Sequence, residues 1–381
     1  MKILHTADWH LGKVIYGRSL IEDQKHFIAE VFLPFLEQQR PDLIIMAGDI
    51  FDRQIAPVEA ISMFDELITT IIDEYKIPLA IISGNHDSAE RMCVGTRLLR
   101  NSLVYISTRI EDVNVPITFE NDGEKVNIYL LPYFEPAQAR ECLKNEKIRG
   151  FGEAYTQILS NIGDKIDKTA TNIMVAHCFV TGCSVSDSEN AIYIGGSGEI
   201  SASVFENFDY VALGHLHAPQ KAGENGRYSG SPLAYSFDEL KNKKSLTMLE
   251  ITNKKVKYTE YPIVPLREMK VLKGNFDQIV EQAKNNPSDD YICVKLTDKD
   301  PIYMPMEQLR VYYPNILHLE SNMLSAGVNK GLGFAVDKLK SGADDEKIFE
   351  NFMKDIYDIA VDEEDIKVFN DAKNQVLRED V

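Results

Sequence analysis

The chain has 381 residues, of which 44% are apolar and 26% charged, an ordinary balance for a globular protein that argues against a disordered or fibrous chain. Asp and Glu outnumber Lys and Arg by 59 to 41, for a net charge of −18, and residues 341–381 alone hold 13 acids and 5 bases. Such a chain does not look like a stand-alone nucleic-acid binder, because those proteins usually carry a basic surface. A nuclease is not excluded, since bound divalent metals or a partner protein can supply positive charge.

The N-terminus and the cysteines both favour a reduced, cytoplasmic protein. The first ten residues, MKILHTADWH, place Asp8 and His10 where the apolar core of a secretion signal would lie. The longest apolar stretches, such as residues 43–47, are far too short for a membrane span, so we expect no membrane association. The five cysteines are odd in number, scattered, and form no CxxC pair.

Five short apolar runs are typical of buried β-strands: 3–7, 43–48, 79–84, 172–176 and 210–214. Helical patterns separate the first three runs. One covers 22–39, where Pro34 is expected to kink or end the helix, and the other covers 57–75, with apolar residues at helical spacing. This alternation predicts an α/β fold with a mostly parallel, layered sheet.

The rest of the chain predicts a second, smaller domain and a tail. Residues 245–262 read as a hairpin that closes the first domain, and the order strand, helix, strand, helix, strand follows in 266–321. Residues 322–333 carry several glycines and read as a linker. We therefore predict domains at 1–263 and 266–321, and a linker with helices at 322–381. The tail helices would carry two apolar stripes, made of Ile348, Phe352, Ile356 and Ile359 and of Ile366, Phe369, Ala372 and Val376.

Each of the five apolar runs stops at side chains that can bind a metal. These are Asp8 and His10, Asp49, Asn85 and His86, His177, and His215 and His217. Taken singly, most of them could equally be turn, capping or core residues. The pair His215 and His217 is the strongest signal, because two histidines one residue apart are seldom needed for packing. Sheets of this class place ligand sites beyond the carboxyl ends of their strands, where all five clusters fall.

Taken together, the clusters predict a site with two metal ions. Five of the eight histidines fall in them. The candidate ligands are Asp8, His10, Asp49, Asn85, His177, His215 and His217, with His86 left over. Mixed imidazole and carboxylate ligands suit Mn²⁺, Fe²⁺ or Zn²⁺ better than Mg²⁺ or Ca²⁺. Seven ligands are too many for one tetrahedral ion but fit two ions that share a carboxylate, an arrangement suited to phosphoryl transfer.

This pattern, DxH…GDxxDR…GNHD…H…GHxH, resembles that of the calcineurin-like metallophosphoesterases. The segments DWHLG (8–12), GDIFDR (48–53), SGNHDS (83–88), AHCFVTGCSVSDSE (176–189), ALGHLHAPQ (212–220) and YSGSPLAYSFDE (228–239) are similar to those of a narrower group, the SbcD family of bacterial nuclease subunits. The resemblance is strong over the first two-thirds of the chain. It implies an α/β fold with a layered β-sandwich flanked by helices, followed by a small α+β capping domain and a helical C-terminal tail.

The resemblance also implies roles for individual residues. The first metal would use Asp8, His10, Asp49 and His217. The second would use Asp49, Asn85, His177 and His215, so that Asp49 bridges the two. His86 would face the substrate as a general acid or stabilise charge on the phosphate, and Asp52 would orient His86 by accepting a hydrogen bond from its ring. A capping role for Asp52 remains an alternative.

The implied activity is phosphodiester hydrolysis on DNA ends and hairpins, with Mn²⁺ as the metal. The family acts as exonuclease on double strands and as endonuclease on single strands and hairpins, in DNA repair and recombination. The resemblance implies the SbcC ATPase as partner, and ATP dependence would come from SbcC because this chain has no GxxxxGK[ST] phosphate loop of its own. The family further suggests a homodimer within a heterotetramer, with the C-terminal helices 322–381 as the SbcC-binding region; packing of those helices on the body is the alternative.

Two other functions fit parts of the sequence. A metallophosphoesterase acting on a small phosphodiester or monoester would explain every ligand and the acidic charge, but not residues 266–381. A non-catalytic interaction protein on the same fold would be expected to have lost ligands, and none is missing here. Lys13, Tyr16 and Arg18 could contact DNA phosphates or simply lie in a solvated loop.

Overall fold

The computed structural model describes residues 1–121, 123–163, 165–189, 198–300 and 302–321, and in the C-terminal segment 346–347, 349–350, 353–354, 361–362 and 364–370. The chain forms two compact units, Met1–Arg267 and Glu268–Val381. Among the described residues, none of the helices combines the length and the apolar character that a membrane span requires.

Nineteen strands are found in the described residues. In chain order they are β1 Lys2–Thr6, β2 Val14–Ile15, β3 Arg18–Ser19, β4 Leu43–Ala47, β5 Leu79–Ile82, β6 Val104–Ser107, β7 Ile117–Asn121, β8 Glu124–Leu131, β9 Thr171–His177, β10 Phe179–Val180, β11 Glu199–Ile200, β12 Tyr210–Gly214, β13 Gln220–Ala222, β14 Gly226–Tyr228, β15 Ser245–Thr252, β16 Lys255–Pro262, β17 Met269–Gly274, β18 Tyr291–Leu296 and β19 Ile316–Ser321.

The α-helices of the described residues, in chain order, are α1 Ile21–His26, α2 Leu33–Gln39, α3 Val58–Thr70, α4 Ala89–Met92, α5 Thr96–Leu99, α6 Pro136–Leu143, α7 Phe151–Gly163, α8 Phe276–Asn285 and α9 Pro305–Arg310. Wider π-helical winding covers Phe27–Phe32 and Ile71–Tyr75, and short 3₁₀ turns cover Arg100–Ser102, Ile110–Asn114, Ala202–Phe205 and Phe237–Lys241.

The first unit is built on two six-stranded sheets. One has the order β16-β15-β1-β4-β5-β6, in which β1, β4, β5 and β6 run parallel and the β15–β16 hairpin is antiparallel. The other has the order β13-β14-β12-β9-β8-β7, with β14, β12, β9 and β8 parallel and an antiparallel strand at each edge. The predicted α/β class, its parallel strands and the closing hairpin are therefore confirmed.

The two sheets face each other across one apolar core. Ile3, Ile45 and Ile82 of the first sheet pack in the same buried cluster as Ile128 and Val175 of the second. The outer face of the second sheet is covered by α6 and α7, whose apolar residues join a second cluster. In the first sheet, β4 and β5 are buried at every position, as their uninterrupted apolar sequence predicts.

The helical segment predicted at 22–39 is continuous across Pro34. Helix α1 passes into π-helical winding over Phe27–Phe32 and then into α2, which ends at Gln39 before a left-handed Arg40. A proline in a regular α-helical interior would lose a hydrogen bond and clash with the preceding turn. The wider winding lies directly before Pro34, so the irregularity is absorbed there and the helix does not end at the proline.

The second unit contains a three-stranded parallel sheet, β17-β18-β19, with α8 and α9 as its crossovers. The predicted order of strand, helix, strand, helix and strand is confirmed. Its core includes Phe276, Ile279, Val294, Leu309 and Ile316. Residues 364–370 are helical, but the linker 322–333 lies outside the described residues. So do the stripe residues Ile348, Phe352, Ile356, Ile359, Ala372 and Val376.

Candidate metal centre

The predicted ligands come together at the carboxyl ends of five parallel strands. Asp8, Asp49 and Asn85 follow β1, β4 and β5 of the first sheet. His177 ends β9, and His215 follows β12, in the second sheet. Because the sheets face each other, the strand ends of both sheets contribute to one site.

Four of these residues adopt a backbone conformation that side chains seldom tolerate. The φ angles are positive at Asp8 (56°), His10 (45°), Asp49 (50°) and His215 (106°). Left-handed conformations in residues other than glycine cost about 1–3 kcal/mol each and persist only where the surroundings impose them. Here the chain turns sharply as it leaves each strand, so that the ligand side chains point at one another.

Glycines allow the strand ends to approach closely. A Cβ on Gly84 would lie 2.1 Å from the Asp49 Oδ1 atom, and one on Gly214 would lie 1.9 Å from the carbonyl oxygen of Ala47. No larger residue fits at either position without moving a ligand loop. The glycines of GNHD and GHxH therefore serve the packing of the site.

In the described parts of the chain, three groups of His and Asp side chains have ligand atoms within 4.8 Å of one another. They are Asp8, His10 and His217; Asp8, Asp49 and His177; and His10, Asp49 and His86. The Nε2 atoms of His10 and His217 are 3.2 Å apart. Asp8, His10 and Asp49 each belong to two of the groups. One Asp49 carboxylate oxygen lies 3.6 Å from His10 Nε2 and 3.4 Å from His177 Nε2, between the two predicted ligand sets, which is the position that a bridging ligand requires.

Asn85 and His215 complete the cluster on the side of His177. The Asn85 Oδ1 atom lies 2.9 Å from His177 Nε2 and 3.1 Å from His215 Nδ1. His177 Nε2 is also 3.4 Å from an Asp49 carboxylate oxygen. The structure thus brings together all seven residues that the sequence singled out as ligands, and His86 with them.

The chemistry of these donors fits divalent metal ions. Burial lowers the pKa of His10 well below its usual value and that of His215 to about 3, so both imidazoles are neutral. Buried Asp8 Oδ2 has no hydrogen-bond partner among the described residues, which is costly unless a ligand satisfies it. Neutral imidazoles and carboxylates together suit Mn²⁺, Fe²⁺ or Zn²⁺.

His177 and Asp49 form an electrostatic pair at the middle of the site. Burial alone would lower the pKa of His177, but Asp49 and then Asp8 outweigh it and raise that pKa to about 9. Burial would raise the pKa of Asp49, yet His177 holds it well below its usual value. The Nδ1 atom of His177 lies 2.9 Å from the carbonyl of Ala47, which can only accept a hydrogen bond. The other nitrogen, Nε2, is therefore the one available to a metal.

His86 and Asp52 contact each other, although not through the Asp52 carboxylate. The Nδ1 atom of His86 lies 2.9 Å from the backbone carbonyl of Asp52, and the His86 amide donates to Asp49 Oδ1 at 2.8 Å. The Asp52 carboxylate instead forms an ion pair with Lys13 at 2.8 Å and lies 3.6 Å from His10 Nδ1. Lys13 is 14% exposed, so it belongs to the rim of the site and not to a freely solvated loop.

Asp87 is a structural residue of the site that the sequence reasoning missed. Its carboxylate accepts hydrogen bonds from the backbone amides of Ile50, Phe51 and Gly84, at 3.1, 2.9 and 2.9 Å. It therefore ties the loop after β4 to the loop after β5. The signal was present in the GNHD motif, in which Asp87 is the only residue other than the glycine without a role as ligand or acid.

Three more residues behind His217 were also missed as functional residues. Ser188, Glu239 and Lys244 form a connected polar chain that ends on the His217 ring. Ser188 belongs to the SDSE segment, and Glu239 closes the YSFDE segment. Both residues lie in segments that resemble the SbcD family, and the structure places both beside the His217 ring.

Taken together, the layered sheets and a histidine-rich ligand cluster at their strand ends are the mark of a metal-dependent phosphoesterase. A family model described as calcineurin-like phosphoesterase matches residues 1–219. A second, described as the type 5 capsule protein repressor C-terminal domain, matches residues 265–357.

The chain belongs to the calcineurin-like phosphoesterase family and, within it, to the SbcD group. The SbcD subunit of the nuclease SbcCD from Staphylococcus epidermidis is 37% identical to it over 361 residues, covering 94% of each chain. A solved structure of a hypothetical protein from Thermus thermophilus covers 68% of this chain and 98% of its own length. It shares 12% identity with a TM-score of 0.38, which is too low to bear on function.

Proposed function

We propose that this protein is the nuclease subunit of an SbcC–SbcD complex and hydrolyses phosphodiester bonds at DNA double-strand ends and hairpins. The observation that carries the proposal is the convergence of seven predicted ligand side chains at one place, in a chain that is similar over 94% of its length to a nuclease subunit. With SbcC, the activity would be an ATP-dependent exonuclease on double strands and an endonuclease on single strands and hairpins.

Two divalent ions, Mn²⁺ by preference, would occupy the site. One would be held by Asp8, His10, Asp49 and His217. The other would be held by Asp49, Asn85, His177 and His215. When bound, such ions acidify a water molecule and neutralise charge on a phosphate.

His86 is the residue that we assign to proton transfer. Its Nδ1 atom is fixed by the carbonyl of Asp52, which can only accept, so Nδ1 carries a proton and Nε2 is the nitrogen free to exchange one with substrate. A protonated His86 would donate from Nε2 to the departing oxygen of the cleaved bond. The backbone bonds from the His86 amide to Asp49 and from its ring to Asp52 hold it beside the ligands without using its Nε2 atom.

The assembly and the location of the protein follow from the same proposal. SbcC would bind the C-terminal segment 322–381, residues 266–321 would correspond to the small domain that follows the nuclease domain in the family, and two copies would pair within a heterotetramer. A bacterial enzyme that hydrolyses the ends of chromosomal DNA would act in the cytoplasm, where that DNA lies. The five free cysteines agree with a reduced compartment.

The alternative, a phosphoesterase of small molecules, shares the metal site and differs in substrate. The unit Glu268–Val381 argues against it, because a small substrate gives no reason for a second folded unit with a family match at residues 265–357.

Cleavage of an end-labelled DNA hairpin with Mn²⁺ tests the proposal. Bis-p-nitrophenyl phosphate and p-nitrophenyl phosphate serve as small substrates, and Asp49→Asn is the control because it removes the shared carboxylate without changing its size. We expect hairpin cleavage that Asp49→Asn abolishes, either with the pure chain or after SbcC and ATP are added. Hydrolysis of the small substrates with no DNA cleavage under both conditions would favour the alternative.

A further inference from the structure

The Nδ1 edge of the His217 ring, on the side away from His10, contacts a chain of hydrogen-bonded polar side chains. His217 Nδ1 lies 2.7 Å from the Ser188 hydroxyl oxygen, and that oxygen lies 2.5 Å from Glu239 Oε1. The other oxygen of Glu239 accepts a hydrogen bond from the ammonium group of Lys244. The side chains of Glu239 and Lys244 are 0% and 8% exposed, so water does not compete for the bond between them.

Simple hydrogen-bond chemistry fixes where the protons of this chain lie. Paired with a buried ammonium group, the Glu239 carboxylate is ionised and can only accept. A serine hydroxyl has one proton, and Ser188 donates it to Glu239. The remaining contact must then run from the ring to the serine, with His217 Nδ1–H as donor. Ser186, whose hydroxyl lies 3.1 Å from that of Ser188, can add a donor to Ser188 but cannot reverse this order.

We propose that Glu239, acting through Ser188, is a positioning residue that holds His217 in the Nδ1–H tautomer. The lone pair of Nε2 then faces His10 and is available to a metal. The inference rests on the proposed function in that it takes His217 as a metal ligand. Ligating histidines that donate their second N–H to a fixed partner gain basicity and orientation, and loss of the partner weakens metal binding about 10–100-fold.

The backbone of His217 is held by Lys244 and by two further residues. Its carbonyl accepts from Lys244 Nζ at 2.9 Å and from the Ser231 amide at 3.1 Å, and its amide donates to Glu189. Lys244 therefore contacts both the His217 backbone and the Glu239 carboxylate. The Nδ1 atom of His177 also faces an acceptor, but that acceptor is the backbone carbonyl of Ala47, which no side-chain substitution removes.

The substitution Glu239→Gln reverses the direction of the hydrogen bonds through Ser188 while keeping the size and shape of side chain 239. The Lys244 ammonium would attract the amide oxygen, so the NH₂ group would face Ser188. Ser188 could no longer donate to residue 239 and would donate to His217 Nδ1 instead. The ring would then carry its proton on Nε2, where it blocks a metal. Ser188→Ala removes the bridging hydroxyl but leaves the Glu239 carboxylate 3.5 Å from His217 Nδ1, so the Nδ1–H tautomer is favoured less strongly and the predicted effect is smaller.

The test uses the full chain, free of metal and labelled with ¹⁵N in its histidine rings. The ring nitrogen shifts report the tautomer, and the His217 signals are assigned by their loss in His217→Gln. We expect Nδ1–H in the wild type, Nε2–H in Glu239→Gln and a mixture in Ser188→Ala. Calorimetry with Mn²⁺ alone should show one of the two sites weakened about 10–100-fold in Glu239→Gln. Glu250→Gln, an exposed residue of β15, is the matched control.

An Nε2–H ring in the wild type, or the same tautomer in the wild type and both variants, would overturn the inference. If Glu239→Gln lacks a cooperative thermal transition, Ser188→Ala decides alone, because Ser188 is partly exposed and small. If the wild type cleaves DNA but the two substitutions do not change the His217 tautomer, the inference is rejected and the proposed function stands. A wild type that binds no Mn²⁺ rejects the proposed function.

Discussion

The replacement of Gly84 by alanine gives a direct measure of how tightly the ligand loops pack. The new Cβ would lie 2.1 Å from Asp49 Oδ1 and 2.4 Å from the Asp49 amide nitrogen, where 3.0 Å is the practical limit. Asp49 would therefore have to move by about 1 Å. That movement also stretches the 2.8 Å hydrogen bond from the His86 amide to Asp49 Oδ1.

Two consequences follow, one for stability and one for activity. Overpacking of a buried site typically costs about 1–3 kcal/mol. For a folding unit of this size that corresponds to a fall in melting temperature of roughly 2–12 °C. Misplacement of a reacting group by about 1 Å costs on the order of 10²-fold in rate. We expect the diesterase rate to fall by about that factor, together with weaker Mn²⁺ binding.

The assay compares Gly84→Ala with Gly152→Ala in thermal unfolding, in Mn²⁺ calorimetry and in hydrolysis of bis-p-nitrophenyl phosphate. A Cβ on Gly152, in α7, meets no atom within 4 Å, so this control should be neutral or slightly stabilised. If Gly84→Ala kept the wild-type rate and metal affinity, the close approach of these loops would not matter to the site and the reasoning would fail.

Four further outcomes are expected. His86→Ala should keep both metals, measured by elemental analysis, and lose hydrolysis about 10²–10⁴-fold; metal loss in parallel with activity would make His86 a ligand. Asp52→Asn should lose less activity than His86→Ala, because the backbone carbonyl that contacts His86 remains; equal losses of activity would implicate the carboxylate. The same substitution leaves Lys13 without its ion pair and should lower the free energy of unfolding by about 1–3 kcal/mol in denaturant unfolding. Because Asp49 raises the pKa of His177 to about 9, the metal-free imidazolium must lose its proton to bind metal, so Mn²⁺ affinity should rise with pH up to about 9, as calorimetry in several buffers would show; a flat profile between pH 7 and 9 would contradict this. Deletion of 341–381 should spare cleavage of a simple diester and abolish co-purification with SbcC, whereas continued association would place the SbcC-binding surface elsewhere.

The sign of the His177 effect on stability follows from the same pKa. Its folded value lies above the ordinary 6.5, so the pairing with Asp49 stabilises the metal-free protein fully below pH 6.5 and is lost as pH rises through about 9. Bound metal replaces the proton in this role.

That these residues would come together could be predicted from sequence, because each cluster of candidate ligands follows a buried strand. An apolar run predicts a buried strand, and the polar residue at which it stops predicts where a ligand lies. This pattern occurs at Asp8, Asp49, Asn85, His177 and His215. The division of the strands into two facing sheets was implied only by the family resemblance. The residue pattern does not show it, because strand pairing depends on contacts distant in the chain. The pairing of β1 with β15, over 240 residues apart, is one example.

Two kinds of interaction could not be predicted from the sequence: those made by backbone groups, and those made by side chains that contact a proposed ligand but do not bind metal themselves. Asp52 accepts from His86 through its carbonyl, a group that every residue has, so the residue type carries no signal. Ser188 and Glu239 are 51 residues apart and bind no metal, and their role becomes visible only when both touch His217.

The most direct measurement is an anomalous-scattering map of crystals of the full chain grown with Mn²⁺. Two manganese peaks are expected, one within bonding distance of Asp8, His10, Asp49 and His217 and the other of Asp49, Asn85, His177 and His215, with His86 bound to neither. A single peak, or a peak ligated by His86, would contradict the assignment of two metals and a separate proton donor.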